Sequence, residues 1–396
     1  MIAGRNTRDP KSSKQEGREM KSEFPEGNAI VYCEGAFNTT NGKTAHGLVR
    51  RSDRYRILSV VDSGHAGCDA GTLLDGKHLG IPIEPDILSA VRNSLEADIE
   101  PTHLVVGLAP DGGRLSPLAR SDIRRGIRMG LNVDSGLHDF LSEDPEMVDF
   151  AESHGVVIRD VRMPPPRDQL HFFTGKIAEV KSLKVAVLGT DSAVGKRTTA
   201  WFLIDALRGA GLAAELIGTG QTAWMQGARY GIILDSLIND FVAGEIEHAV
   251  WSAWNEASPD VIVLEGQGSL MNPACPGGYE ILAAGRPDVV ILQHAPTRRE
   301  YDGFPGHRMH GLQRQIDAIE TVSGKPVVAI TVNHEGIPPG EISGVCRAIT
   351  EETLLPALDV LRNGAGRLVE ILNARLTRRS QNHTRPSLES YHAGAA

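Results

Sequence analysis

Two hydrophobic rhythms take turns along this chain. Short apolar runs at AIVYC (29–33), RILSVVD (56–62), HLVVGLA (103–109) and GVVIRD (155–160) predict buried strands. Between them, DILSAVRNSLEA (86–97) and SPLARSDIRRGIRMG (116–130) carry apolar residues at helical spacing. A second alternating set begins at LKVAVLG (183–189). Its predicted strands are AAELIG (213–218), DVIVLEG (260–266), DVVILQHA (288–295) and KPVVAITVN (325–333). Its predicted helices are TTAWFLIDALRGAG (198–211), DFVAGEIEHAVWSAWNEA (240–257) and GRLVEILNARL (366–376). Alternation of this kind predicts α/β architecture, with mostly parallel sheets covered by helices.

The two sets are separated by RMPPPRDQLHFFTGKIAEVKS (162–182), whose three consecutive prolines can continue neither a helix nor a central strand. The expected organisation is a flexible tail over 1–27, an N-terminal domain over 28–162 and a stiff proline-rich linker over 163–182. A second domain over 183–377 and a polar C-terminal tail over 378–396 complete it.

Composition narrows the partners. The chain has 396 residues, enough for two cores, and a formal charge of −9. An acidic protein without a basic stripe is a poor nucleic-acid binder. No apolar run is long enough to span a membrane, and the first residues lack the apolar stretch of a secretory signal. Cys33, Cys68, Cys275 and Cys346 are far apart and form no zinc spacing, so reduced, buried thiols in a cytoplasmic protein are expected.

The chemistry is concentrated in VAVLGTDSAVGKRTTAWF (185–202), where a strand breaks into a loop and a Gly-Lys pair opens a helix. This predicts a phosphate-binding loop formed by Gly189, Thr190, Asp191, Ser192, Ala193, Val194, Gly195, Lys196, Arg197, Thr198 and Thr199. Gly189 and Gly195 allow close approach of the backbone, successive amides point into a concavity, the helix start favours an anion, and Lys196 adds a mobile charge. Five residues separate the first glycine from Gly-Lys, one more than in the common motif; the longer loop resembles that of dethiobiotin synthetase. The hydroxyl that usually binds magnesium directly after the lysine is replaced by Arg197. Either Thr198 takes that role or no metal is needed.

VIVLEGQGSL (261–270) ends a strand at Glu265, a position also similar to dethiobiotin synthetase. A carboxylate there can hold metal, take a proton or orient water, or simply brace a turn. HAPTRREYDGFPGHRMHGL (294–312) follows another strand, and ligands of open α/β sheets sit beyond such strand ends. Arg298 and Arg299 are candidates for a substrate carboxylate, with Tyr301 and Asp302 as hydrogen-bonding neighbours; an ordinary surface loop is the alternative. His307 and His310 lack an evident third ligand, and no metal site is expected.

Together with EGAFNTTNGKTAHGLVRRSDRYRILSVVDSGHAGCDAG (34–71), VVGLAPDGGRLSP (105–117) and SGLHDFL (135–141), these motifs resemble the two-domain P-loop family that includes the DgcN-type D-glutamate N-acetyltransferases. The resemblance covers about residues 28–377. It implies a Rossmann-like N-terminal domain, a P-loop NTPase-like C-terminal domain, and acetyl transfer from acetyl-CoA to the amine of an acidic amino acid, D-glutamate above all. The loop would then grip the phosphates of coenzyme A without splitting them.

Acetyl transfer needs a base for the amine, donors for the thioester oxygen and cations for the carboxylates. Glu265 is the first candidate base, because it should lie beside the loop. Asp62 and His65 come second; Asp-Ser-Gly-His is equally good turn chemistry. Asn38, Thr39, Asn41, Lys43 and Thr44 crowd a loop that either binds substrate or makes an Asn-Gly turn. Arg51 joins Arg298 and Arg299 as a carboxylate candidate. The rival activity is that of an ATP- and Mg-dependent kinase or ligase, with Glu265 or Asp191 near the metal; a non-catalytic nucleotide-binding protein is the other rival. A homo-oligomer would suit a metabolic enzyme of this size.

Overall fold

Valine- and isoleucine-rich runs form two separate parallel sheets in the computed structural model, which describes residues 25–383. Of the expected tails, 1–24 and 384–396 fall outside the described residues, whereas Gly27 opens the first strand and 378–383 continue the last helix. The first sheet contains β1 (Gly27–Tyr32), β2 (Tyr55–Val61), β3 (Ile83–Glu84), β4 (His103–Val106), β5 (Asn132–Ser135) and β6 (Ile158–Asp160). Its order, β3-β2-β1-β4-β5-β6, is that of a Rossmann-like sheet, with the switch point between β1 and β4.

The second sheet contains β7 (Leu183–Gly189), β8 (Ala214–Gly218), β9 (Tyr230–Gly231), β10 (Val261–Glu265), β11 (Val289–His294), β12 (Val327–Val332) and β13 (Ala357–Leu358). Its order is β13-β12-β11-β7-β10-β8-β9, so the chain changes direction on either side of β7. All seven residues of β7 are buried, and each fully buried Val or Leu side chain contributes about 1.5–3 kcal/mol. The helices Lys196–Gly209 and Gly366–His383 cover one face, and Asn239–Ala257, Gly278–Gly285 and Leu312–Ser323 the other.

Several elements differ from the sequence reading. The short strands β3, β5, β9 and β13 were not predicted. The last helix runs to His383, seven residues beyond its expected end at 376. Residues 163–182 include two 3-10 turns, Arg167–Gln169 and Lys176–Glu179, and pack on the long helix. There Glu247 accepts from the Thr174 amide and hydroxyl and from the Ile177 amide. All four cysteines are free thiols, but the expectation that they are buried holds only for Cys33: Cys68 and Cys275 are exposed and Cys346 is partly so. Cys68 and Cys275 lie in loops, whereas Cys346 is on the helix Ile342–Thr353 and packs at the edge of the core.

The two domains share a packed seam. Thr44 and Thr222 hydroxyls are 3.0 Å apart and buried. Gln226 Nε2 donates to the carbonyls of Gly47 (2.7 Å) and Arg51 (3.2 Å). Arg54 lies over the Trp224 ring at 3.6 Å, and Met225 completes the core beneath the first sheet. The helix Gln221–Gln226 of the second domain therefore seats against the helix Lys43–Arg50 of the first.

Candidate functional site

At the C-terminal end of β7 the chain turns through residues 190–195 and enters the helix Lys196–Gly209. Two residues give the turn its shape. Gly195 has φ +104 and Ala193 φ +50, a left-handed conformation that a residue with a Cβ rarely adopts. The backbone N–H groups of Ala193, Val194, Gly195, Lys196, Arg197 and Thr198 find no acceptor among the described residues. Consecutive unpaired amides at a helix start form an anion cradle. Lys196 Nζ spans the loop to the Asp191 carbonyl at 2.7 Å. Burial pushes its pKa down to about 8, against the pull of Asp191 and Glu265. A Cβ on Gly189 would stand 2.9 Å from Lys196 Cδ, so this glycine makes room for the lysine stem.

The loop is held from behind by its neighbours. The fully buried Asp191 carboxylate accepts from Ser192 N (2.7 Å), Asn272 Nδ2 (2.8 Å), Asp302 N (2.8 Å) and Arg298 Nη1 (3.2 Å). Arg298 also donates to the carbonyls of Ser192 and Ala193. Asn333 Nδ2 holds the Val194 carbonyl, and Thr190 Oγ1 lies 3.0 Å from His294 Nδ1. Burial lowers the His294 pKa to about 4, which keeps its ring neutral near pH 7. Thr199 donates to Gln293, whereas the Thr198 hydroxyl has no partner among the described residues.

Glu265 closes one side. It ends β10 next to β7, is 5 % exposed, and accepts from Thr219 N at 2.9 Å. Burial raises its pKa, outweighing the opposing effects of Arg197, the Thr219 hydrogen bonds and Lys196. Gln267 Nε2 braces the Thr219 carbonyl and hydroxyl at 2.9 Å. Arg197 leaves the helix toward the first domain, where Nη2 is 3.3 Å from the Lys43 carbonyl. A separate hollow among Asp53, Trp201, Arg208 and Glu215, at the N-terminal end of β8, contains none of these groups.

The remaining expected residues divide into two groups. Thr44 belongs to the domain seam. So does Arg51, which pairs with Asp53 and Asp205 and lies over Trp201. Arg298 is engaged by the loop, and Tyr301 is buried with its hydroxyl 2.8 Å from His310. Thr39 caps a turn through Asn41 N. Asp62 is fully buried; its carboxylate accepts from Phe37 N and Gly64 N and holds His65 Nδ1 at 3.2 Å. By contrast, Asn38, Lys43 and Arg299 have exposed side chains. Sequence reasoning missed Thr219, Gln267, Asn272, Gln293, His294 and Asn333. Most of them stand at or just past a strand end, where a polar residue after an apolar run is the available signal. Among the described residues no three His, Cys, Asp or Glu side chains gather as a metal-holding group.

The fold and cradle define a two-domain protein in which a Rossmann-like domain precedes a P-loop domain. The chain belongs to the DUF1611 family: the model of its P-loop domain of unknown function matches residues 171–369, and that of its Rossmann-like domain residues 63–164. It is 30 % identical over 277 residues to a protein of Tritonibacter scottomollicae named D-glutamate N-acetyltransferase, covering 68 % of this chain and 81 % of that one. A Pseudoalteromonas protein of the same name is 30 % identical over 271 residues, covering 67 % and 79 %. The crystal structure of a DUF1611 family protein from Anabaena variabilis superposes with a TM-score of 0.80 at 27 % identity, covering 88 % of this chain and 99 % of that one.

Proposed function

We propose that the protein is an N-acetyltransferase that moves the acetyl group of acetyl-CoA to the amine of an acidic amino acid, D-glutamate first among them, in the breakdown of D-amino acids in the cytoplasm. The names of the two relatives support the reaction class. The observation that carries the assignment to this site is the buried Glu265 carboxyl, its proton affinity raised by burial, set beside the cradle of unpaired amides and Lys196.

In this reading the amides and Lys196 hold the coenzyme's phosphates. Glu265 takes a proton from the ammonium of the bound amino acid. The freed nitrogen attacks the thioester carbonyl carbon, the C–S bond breaks, and the thiol leaves with a proton. A base whose proton affinity is raised toward the working pH suits such a transfer. Holding amine and thioester together supplies much of the remaining rate.

The kinase or ligase reading keeps one specific point in its favour: the unpartnered Thr198 hydroxyl, two residues past Lys196. Asp191 weighs against it, since its carboxylate is occupied by four donors. Thiol release from acetyl-CoA, assayed with a panel of D- and L-amino acids with and without a magnesium chelator, tests both readings. Release that requires D-glutamate and survives the chelator is the expected result. No release, with ADP formed from ATP instead, would replace acetyl transfer by the rival.

A further inference from the structure

We propose that Arg197 binds a carboxylate of the acceptor amino acid at the seam between the domains, while the loop amides and Lys196 take the phosphates. The inference rests on the acetyl-transfer reading and assigns a substrate contact within it. Neighbouring residues of a helix point about 100° apart. Lys196 turns back over the loop to Asp191, whereas Arg197 turns outward to the helix Lys43–Arg50.

The Arg197 side chain is incompletely satisfied. Its Nε is sealed from solvent with no acceptor, and the guanidinium makes one long contact, 3.3 Å to the Lys43 carbonyl. Among the described residues its one hydrogen-bond partner is that carbonyl, not a carboxylate. A guanidinium offers five donors in a planar fork, and a half-buried one with a sealed, vacant Nε is suited to take an anion. Thr222 and Gln226 pack with it around Gly47, and the charges of Glu265 and Arg50 both reach it. A Cβ on Gly47 would stand 2.9 Å from Arg197 Nη2, so the missing side chain lets the fork lie against this helix.

Carboxylate and phosphate are both oxyanions that fit an arginine fork. Direction decides between them. The phosphates already have the loop amides, whereas Arg197 faces the other domain. Glu265 lies close enough to act on the Arg197 charge. A carboxylate seated on Arg197 therefore brings the amine of the same molecule toward Glu265.

The test uses the full chain, unaltered and as Arg197→Met, titrated separately with glutarate, a dicarboxylate without an amine, and with coenzyme A. Glutarate affinity should fall and the KM for D-glutamate rise about 10–100-fold, as for losing a charged hydrogen bond. Coenzyme A affinity should hold within about threefold, well short of that loss. Added methylguanidinium should restore part of the glutarate binding, which a purely structural arginine would not permit. If Arg197→Met does not fold, Gly47→Ala, which crowds the fork, should weaken glutarate binding in the same selective way. Loss of coenzyme affinity with or without loss of glutarate, unchanged binding of both, or no glutarate binding by the unaltered protein would each overturn the proposal. Arg197-dependent glutarate binding without thiol release would leave the carboxylate site and remove acetyl transfer. Thiol release with an unchanged KM in Arg197→Met would do the reverse.

Discussion

Arg298 Nη1 lies 3.2 Å from Asp191 Oδ2 and 2.7 Å from the Ser192 carbonyl, so the segment after β11 grips the phosphate loop after β7. Arg298 is 18 % exposed at its side chain and Asp191 is sealed, which makes this pair partly screened on one side only. Arg298→Ala should destabilise the fold by about 1–3 kcal/mol, the cost of leaving a buried charged acceptor short of a donor. Urea unfolding midpoints measure it; an unchanged midpoint would show that the other three donors suffice.

Lys196 links anion binding to pH. Its folded pKa, about 8, lies below the ordinary lysine value. The folded loop releases that proton as pH rises through about 8 while the unfolded chain still holds it. The affinity for pyrophosphate should therefore fall across this range. Over the same range the ligand-free fold should gain stability from this group, because the unfolded state binds more protons. Lys196→Met should weaken coenzyme A binding about tenfold or more and flatten both pH dependences. Calorimetric titration at pH 7 and pH 9 is the check.

Glu265 is expected to trade stability for activity. Its folded pKa is raised, so its contribution to stability is fully present below the unfolded value and is lost as pH rises through the folded one. Above that range the ionised carboxylate weighs against folding. Glu265→Gln should lower kcat by about 10²–10⁴-fold as a lost general base. Relative to the unaltered protein, the variant should gain stability from acidic to neutral pH. A variant with full activity removes Glu265 from catalysis.

The linker is a packed element. A Cβ on Gly244 would come within 1.9 Å of the His171 carbonyl. Gly244→Ala should cost about 1–3 kcal/mol through overpacking and raise protease cleavage between residues 163 and 182. Limited proteolysis with mass mapping reads this directly; an unchanged digestion pattern would mean that the linker yields without loss.

The anion cradle was legible because its glycines, lysine and flanking strand are local in sequence. The strands β7, β10, β11 and β12 were legible because burial on both faces leaves continuous apolar runs. The strand β5 was hidden by its own polarity: Asp134 in NVDS bonds to Tyr55 and Arg159, partners that satisfy a buried carboxylate only once the sheet has assembled. The same limit applies to the site. Asn272 and Asp191 stand 81 residues apart, and no spacing rule joins them. Arg51 and Arg298 looked like free cations in the sequence; folding supplied both with internal partners.

Four donors, from the loop itself and from two distant segments of chain, converge on the Asp191 carboxylate beneath the cradle. The loop is consequently ordered when the protein folds, and under the proposed function an arriving phosphate would meet amides already aimed. Little conformational entropy then remains to be lost on association. Discrimination among coenzyme analogues should accordingly depend on how long each stays bound, with arrival rates nearly alike.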